Sequence, residues 1–224
     1  MFEEELELEK KEGSSFGPLI IIALLAVLIV GGAGVLIMQS RQTLKAEEAA
    51  PVVSKMLTER PPTTVKFYTG TLNANSSETP DEPQYKLLQK VGVLKTEKIK
   101  KSPDVRVMLT PDGEKMIASL PDTKKTTKDA ETEYDVPLAT RKLVNVTQVT
   151  KLAPNRFLVN YTWQWVPNKL GDDFDASSEL VKGFSTWDRQ KLIDKCGAAF
   201  YHAAPESSSV VLMKSTHGWE VVKD

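Results

Sequence analysis

The sequence predicts an α+β fold, with one N-terminal transmembrane helix followed by a mainly antiparallel sheet packed with short helices. Three observations carry this expectation. Residues 16–38 contain no charged side chain. Phe157, Val159, Tyr161, Trp163 and Trp165 alternate with Leu158, Asn160, Thr162 and Gln164. That alternation marks a strand with one buried face. Helical and extended stretches are mixed without the βαβ repeat of a parallel sheet.

The apolar run divides the chain into four parts: an acidic tail (1–15), the span (16–38), a stalk with a short helix (39–62) and a globular domain (63–224). As a helix the span measures roughly 35 Å, enough for a hydrocarbon core of about 30 Å. Fourteen of its residues are Leu, Ile, Val or Phe, which together favour insertion by about 6 kcal/mol. The run is longer than the apolar core of a signal peptide, and no A-x-A site or cysteine follows closely. An uncleaved signal anchor is expected. Two Lys precede the span, and Arg41 and Lys45 follow it, so the positive-inside rule does not orient it. A short tail before one span predicts a cytoplasmic N-terminus and an extracytoplasmic domain at the inner membrane.

In the stalk, residues 39–50 extend the membrane helix, and Pro51 opens a new helix from Val52 to Glu59, ended by Pro61 and Pro62. A strand from Thr64 to Thr71 follows, with Val65 and Phe67 on one face. Residues 73–83 form a polar loop. Tyr85 to Val91 reads as a helix stopped by Gly92. Val93 to Lys100 and Val105 to Leu109 form two strands joined at Ser102-Pro103-Asp104. Thr110 caps a helix that reaches Leu120, with Pro111 in its first turn.

Residues 121–135 are charged and expected to be mobile. Leu143 to Thr150 pairs with Phe157 to Val166 around Pro154-Asn155. Residues 168–184 form a loop. Trp187 to Cys196 is a helix, capped by Ser185 or Thr186 and stopped by Gly197. It is expected to cover the Trp163 and Trp165 face. Strands 198–203, 210–214 and 219–222 close the chain, with His217-Gly218 turning between the last two.

The 224 residues carry a net charge of -1, one cysteine and two histidines. An intramolecular disulfide and a multi-cysteine zinc site are therefore excluded. Cys196 and His202 are the one thiol–imidazole pair available, and Cys196 falls at a helix C-terminus, where the dipole disfavours a thiolate. Both histidines and Cys196 read as structural. Asp173, Asp175 and Ser177 have the alternating oxygens of a calcium loop, but an EF-hand needs Gly and Glu where Ser178 and Phe184 stand. No dinucleotide, P-loop, zinc-protease or hydrolase motif is present. No enzyme, cofactor or metal site is expected.

Charge marks the remaining candidate. Between Lys86 and Arg106 seven bases face two acids. Lys95, Lys98, Lys100, Lys101 and Arg106 form a possible contact for an anionic ligand. The plainer alternative is a lysine-rich edge that keeps an exposed hairpin from aggregating.

Tyr85 to Leu94, followed by Val107-Met108-Leu109-Thr110-Pro111-Asp112-Gly113, resembles the helix, wing and following helix start of winged-helix proteins. The same stretch, with Val144 to Thr150 and Val159-Asn160-Tyr161, is similar to uncharacterised bacterial cell-envelope proteins and lipoproteins. That second resemblance covers residues 85–166 and implies an envelope location and an α+β fold, without an activity. The leading expectation is a membrane-anchored binding or scaffolding domain. Its partners are the lipid bilayer, through residues 16–38, and another envelope protein, with nucleic acid not expected. The alternative is a membrane-tethered cytoplasmic regulator that uses the basic hairpin on DNA.

Overall fold

A computed structural model describes residues 43–73, 80–128 and 131–222. The expected span and acidic tail lie outside these residues. Among the described residues no helix is long and apolar enough to cross a membrane. The described chain is α+β, as the pattern predicts. Eight strands run β1 (Thr63–Leu72), β2 (Leu94–Lys98), β3 (Val105–Leu109), β4 (Lys124–Lys128), β5 (Glu131–Ala153), β6 (Arg156–Pro167), β7 (Glu206–Ser215) and β8 (Gly218–Val221). Six helices accompany them: α1 (Ala46–Glu59), α2 (Pro83–Lys90), α3 (Pro111–Ser119), α4 (Lys169–Asp173), α5 (Glu179–Lys182) and α6 (Thr186–Lys195).

The strands pair antiparallel in the order β2-β3-β1-β5-β6-β7-β8, and β4 also pairs with β5. β5 organises the sheet. Asp135 lies between Lys66 of β1 and Lys124 of β4, whereas residues from Ala139 onward pair with β6. β1 changes partner along its own length. Thr63 to Thr69 pair with β5, and Gly70 to Leu72 pair with β3. Gly70 turns this corner at φ +120, a conformation that L side chains avoid.

Two cores result. In one, Val65, Phe67, Tyr134, Val136 and Leu138 of β1 and β5 pack under the helices that follow β1. In the other, α1 lies against β5 to β8. Ala49, Val53 and Leu57, four residues apart, meet Phe157, Val159, Tyr161 and Trp163 of β6 and Leu212 of β7. The alternating β6 face is therefore buried as predicted, but by a different helix. α1 covers it, while Trp187 of α6 is 87% exposed. The wider apolar stripe belongs to α1, and helices are docked by stripe width rather than by nearness in sequence.

Other expectations also give way. Pro51 lies inside α1 rather than at its start. Glu48 accepts from the Lys45 N–H at 3.0 Å and so begins the helix earlier. The backbone bond that Pro51 cannot make is offset by burial of Leu44, Ala49 and Val53. The helix placed with the stalk is thus part of the folded body, and Leu44 just before it is buried there too. Residues 121–135, expected to be mobile, hold β4 and the start of β5. The alternation of Tyr134, Val136 and Leu138 is hidden there by neighbouring charges and Pro137. The loop 168–184 contains α4 and α5, capped by Asn168 and Ser178. Residues 198–203 form no strand and make one isolated bridge, Ala199 with Asp175.

Candidate functional site

The basic hairpin forms for reasons visible in its residues. Leu94 faces Leu109 and Thr96 faces Val107 on the side turned to the core, where Leu94 and Val107 are buried. Lys95 opposite Met108 and Glu97 opposite Arg106 take the other side. At the tip Ile99 donates to the Asp104 carbonyl, and Ser102 Oγ donates to the Asp104 carboxylate at 2.7 Å. Lys101 adopts φ +63 there.

This geometry separates the five candidate cations. Lys95 and Arg106 share a face and line a trench of about 590 Å³ with Thr69, Thr71, Glu114 and Tyr134. Lys98, Lys100 and Lys101 stand toward the tip, outside that trench. Lys95 Nζ lies 3.8 Å from Glu97 Oε1, with both side chains more than half exposed. Such a pair contributes little and exchanges readily for another anion.

Sequence reasoning did not find the far wall of the trench. Thr69 and Thr71 arrive there only because β1 leaves β5 for β3 at Gly70. A glycine inside a strand pattern was the available signal. Tyr134, in the stretch expected to be mobile, stacks on Phe67 with ring centres 5.2 Å apart.

The other candidates are engaged structurally. Cys196 is buried and its Sγ donates to Gln84 Oε1 at 3.3 Å. It lines a separate cleft of about 400 Å³ with Lys66, Lys191 and Lys195. Lys191 pairs there with Glu82, which holds its ammonium above the usual lysine range. His202 Nε2 meets Asp172 Oδ1 at 3.0 Å, and Cys196 has Gln84 as its partner instead. The Asp175 carboxylate accepts from Ser177 N–H and Oγ and from the His202 N–H, so it closes two loops on each other. Burial pushes its carboxyl up, but these donors outweigh burial and hold it below the usual range. Burial first, then Asp172, raise the Asp173 carboxyl. Among the described residues no cluster of three His, Cys, Asp or Glu side chains is placed to hold a metal ion.

Arg141 is held against Trp165 and Trp163, its guanidinium 4.4 and 5.5 Å from the ring centres, and it donates to the Pro61 carbonyl at 3.1 Å. Burial, and then Arg60, lower its pKa. This stack pins the α1–β1 link to the sheet. No protein-family model, curated protein or solved structure matches this chain.

Proposed function

We propose that the chain is a single-pass inner-membrane protein whose α+β domain stands outside the cytoplasm and binds or scaffolds a partner in the envelope. The observation that carries this reading is the uncharged run of 23 residues from Phe16 to Met38. It ends eight positions before Ala46, which opens α1. Those positions reach at most about 28 Å when extended. The folded body is therefore held close to the bilayer, and α1, the first helix after the link, anchors the second core.

Binding rather than reaction is supported by how the chemically capable side chains are used. Cys196, Asp175 and His202 are tied to Gln84, Ser177 and Asp172. Lys95 and Arg106 are the cations presented to an open trench.

Fusing alkaline phosphatase to the C-terminus tests the topology. An active fusion that stays with membranes through alkaline carbonate washing is expected. An inactive phosphatase fusion, together with a fluorescent C-terminal green fluorescent protein, overturns the reading. Salt-sensitive duplex binding, abolished when Lys98, Lys100 and Lys101 are changed to Glu, then favours the DNA-contacting regulator.

A further inference from the structure

The trench beside the basic hairpin has a neighbour that shares part of its lining. Leu109, Glu114 and Tyr134 also wall a second hollow of about 390 Å³. There Ile117 and Leu120 supply apolar surface, and Lys125 Nζ lies 5.5 Å from the centre of the Tyr134 ring. The trench is cationic and hydroxyl-lined, and the hollow beside it is more apolar. Lys95, Arg106 and Lys125 outnumber the acids beside them, Glu114 in the lining and Glu97, which pairs with Lys95 at 3.8 Å.

The trench occupies the fork where β1 parts from β5 to join β3. β3 runs beyond its last β1 partner, Val107, by Met108 and Leu109. Among the described residues no strand pairs with that edge at these two positions. An unpaired strand edge beside pockets for side chains is the arrangement that binds extended peptides.

We propose that this fork docks an extended peptide segment of a partner protein, in which an acidic side chain meets Lys95 and Arg106 and a bulky apolar side chain lies against Leu120 and Tyr134. Charge complementarity selects the acid. The β3 edge at Met108 and Leu109 selects a peptide over an acyl chain, because a peptide main chain can pair with it and an acyl chain cannot. An acyl chain needs enclosure from water, whereas an extended peptide turns alternate side chains to solvent. The inference names the partner chemistry of the proposed binding domain. It rests on that reading for the existence of a partner and not for the topology.

The full chain in phosphatidylcholine nanodiscs is titrated against a fluorescein-labelled peptide of alternating Glu and Leu, read by fluorescence anisotropy. Saturable binding is expected. It should weaken about tenfold in the double variant Lys95→Glu, Arg106→Glu, and about tenfold between roughly 50 and 300 mM salt. Leu120→Ser should weaken it about threefold, and a peptide with Gln in place of Glu should not bind. Circular dichroism checks that the variants fold, and the milder Lys95→Gln, Arg106→Gln pair serves if the charge reversal does not.

Absence of saturable binding overturns the proposal, as does equal binding of the Gln peptide or binding that survives loss of both cations. So does attachment that appears only when phosphatidylglycerol is added to the nanodiscs, because the cations then contact lipid. The phosphatase result is independent of all these outcomes, so a failed topology and a failed docking site are told apart.

Discussion

The phenol oxygen of Tyr85 accepts a hydrogen bond from the main-chain N–H of Tyr68 at 2.9 Å. Tyr85 is fully buried at the start of α2, and Tyr68 lies in β1 where that strand pairs with β5. The contact fastens a helix to the strand just before it turns at Gly70. Tyr85→Phe keeps the ring and removes the acceptor. It is expected to cost about 1–2 kcal/mol, read as a lower urea midpoint with an unchanged slope.

Gly113 is the second expectation. A Cβ built on it would lie 2.2 Å from the Val93 carbonyl oxygen, a backbone atom that cannot swing away. α3 is seated so closely because Thr110 caps it, its Oγ1 accepting from the Gly113 N–H at 2.9 Å. Gly113→Ala is expected to destabilise the domain by about 1–3 kcal/mol. Gly92→Ala meets open space but must hold φ +75, so its cost is expected to be only about 1 kcal/mol. Paired urea melts compare steric with torsional strain.

Asp175 makes stability depend on pH. Its folded-state pKa is held below the ordinary value. The stability it contributes is therefore present above the unfolded value of about 3.9 and is lost as pH falls through the lower folded value. The urea midpoint should fall as the pH drops below roughly 4. Asp175→Asn should abolish that component and cost about 1–3 kcal/mol at neutral pH. Asp173, shifted the other way, acts with opposite sign, so the comparison with the Asn variant isolates Asp175.

Leu57 tests whether α1 belongs to the domain. It is 1% exposed and packs in the core formed with β6 and β7. Leu57→Ala should cost about 2–5 kcal/mol in a single cooperative melt. A spacer helix outside the fold would leave the melt unmoved.

Local pattern determined much of this protein by itself. The period of two from Phe157 to Trp165 specifies the β6 face, because side chains alternate across any strand. Thr110-Pro111 and Ser185 mark helix starts, because a side-chain oxygen satisfies an orphan N–H wherever the rest of the fold lies. The basic hairpin, its Ser102-Pro103-Asp104 turn and the antiparallel α+β class were legible for the same reason.

Tertiary structure alone decided which surfaces meet. Whether α1 or α6 covers β6 depends on the assembly of a sheet whose central strand, β5, takes partners far apart in sequence. The extent of β5 was hidden because Glu131, Glu133 and Asp135 make its start charged, yet Thr132 to Asp135 lie between β1 and β4, where main-chain pairing outweighs local propensity. The candidate trench was half legible. Lys95 and Arg106 stand eleven positions apart in a recognisable hairpin. Thr69, Thr71 and Tyr134 join them because β1 exchanges β5 for β3 at Gly70, and a change of strand partner leaves no periodic trace in a linear sequence.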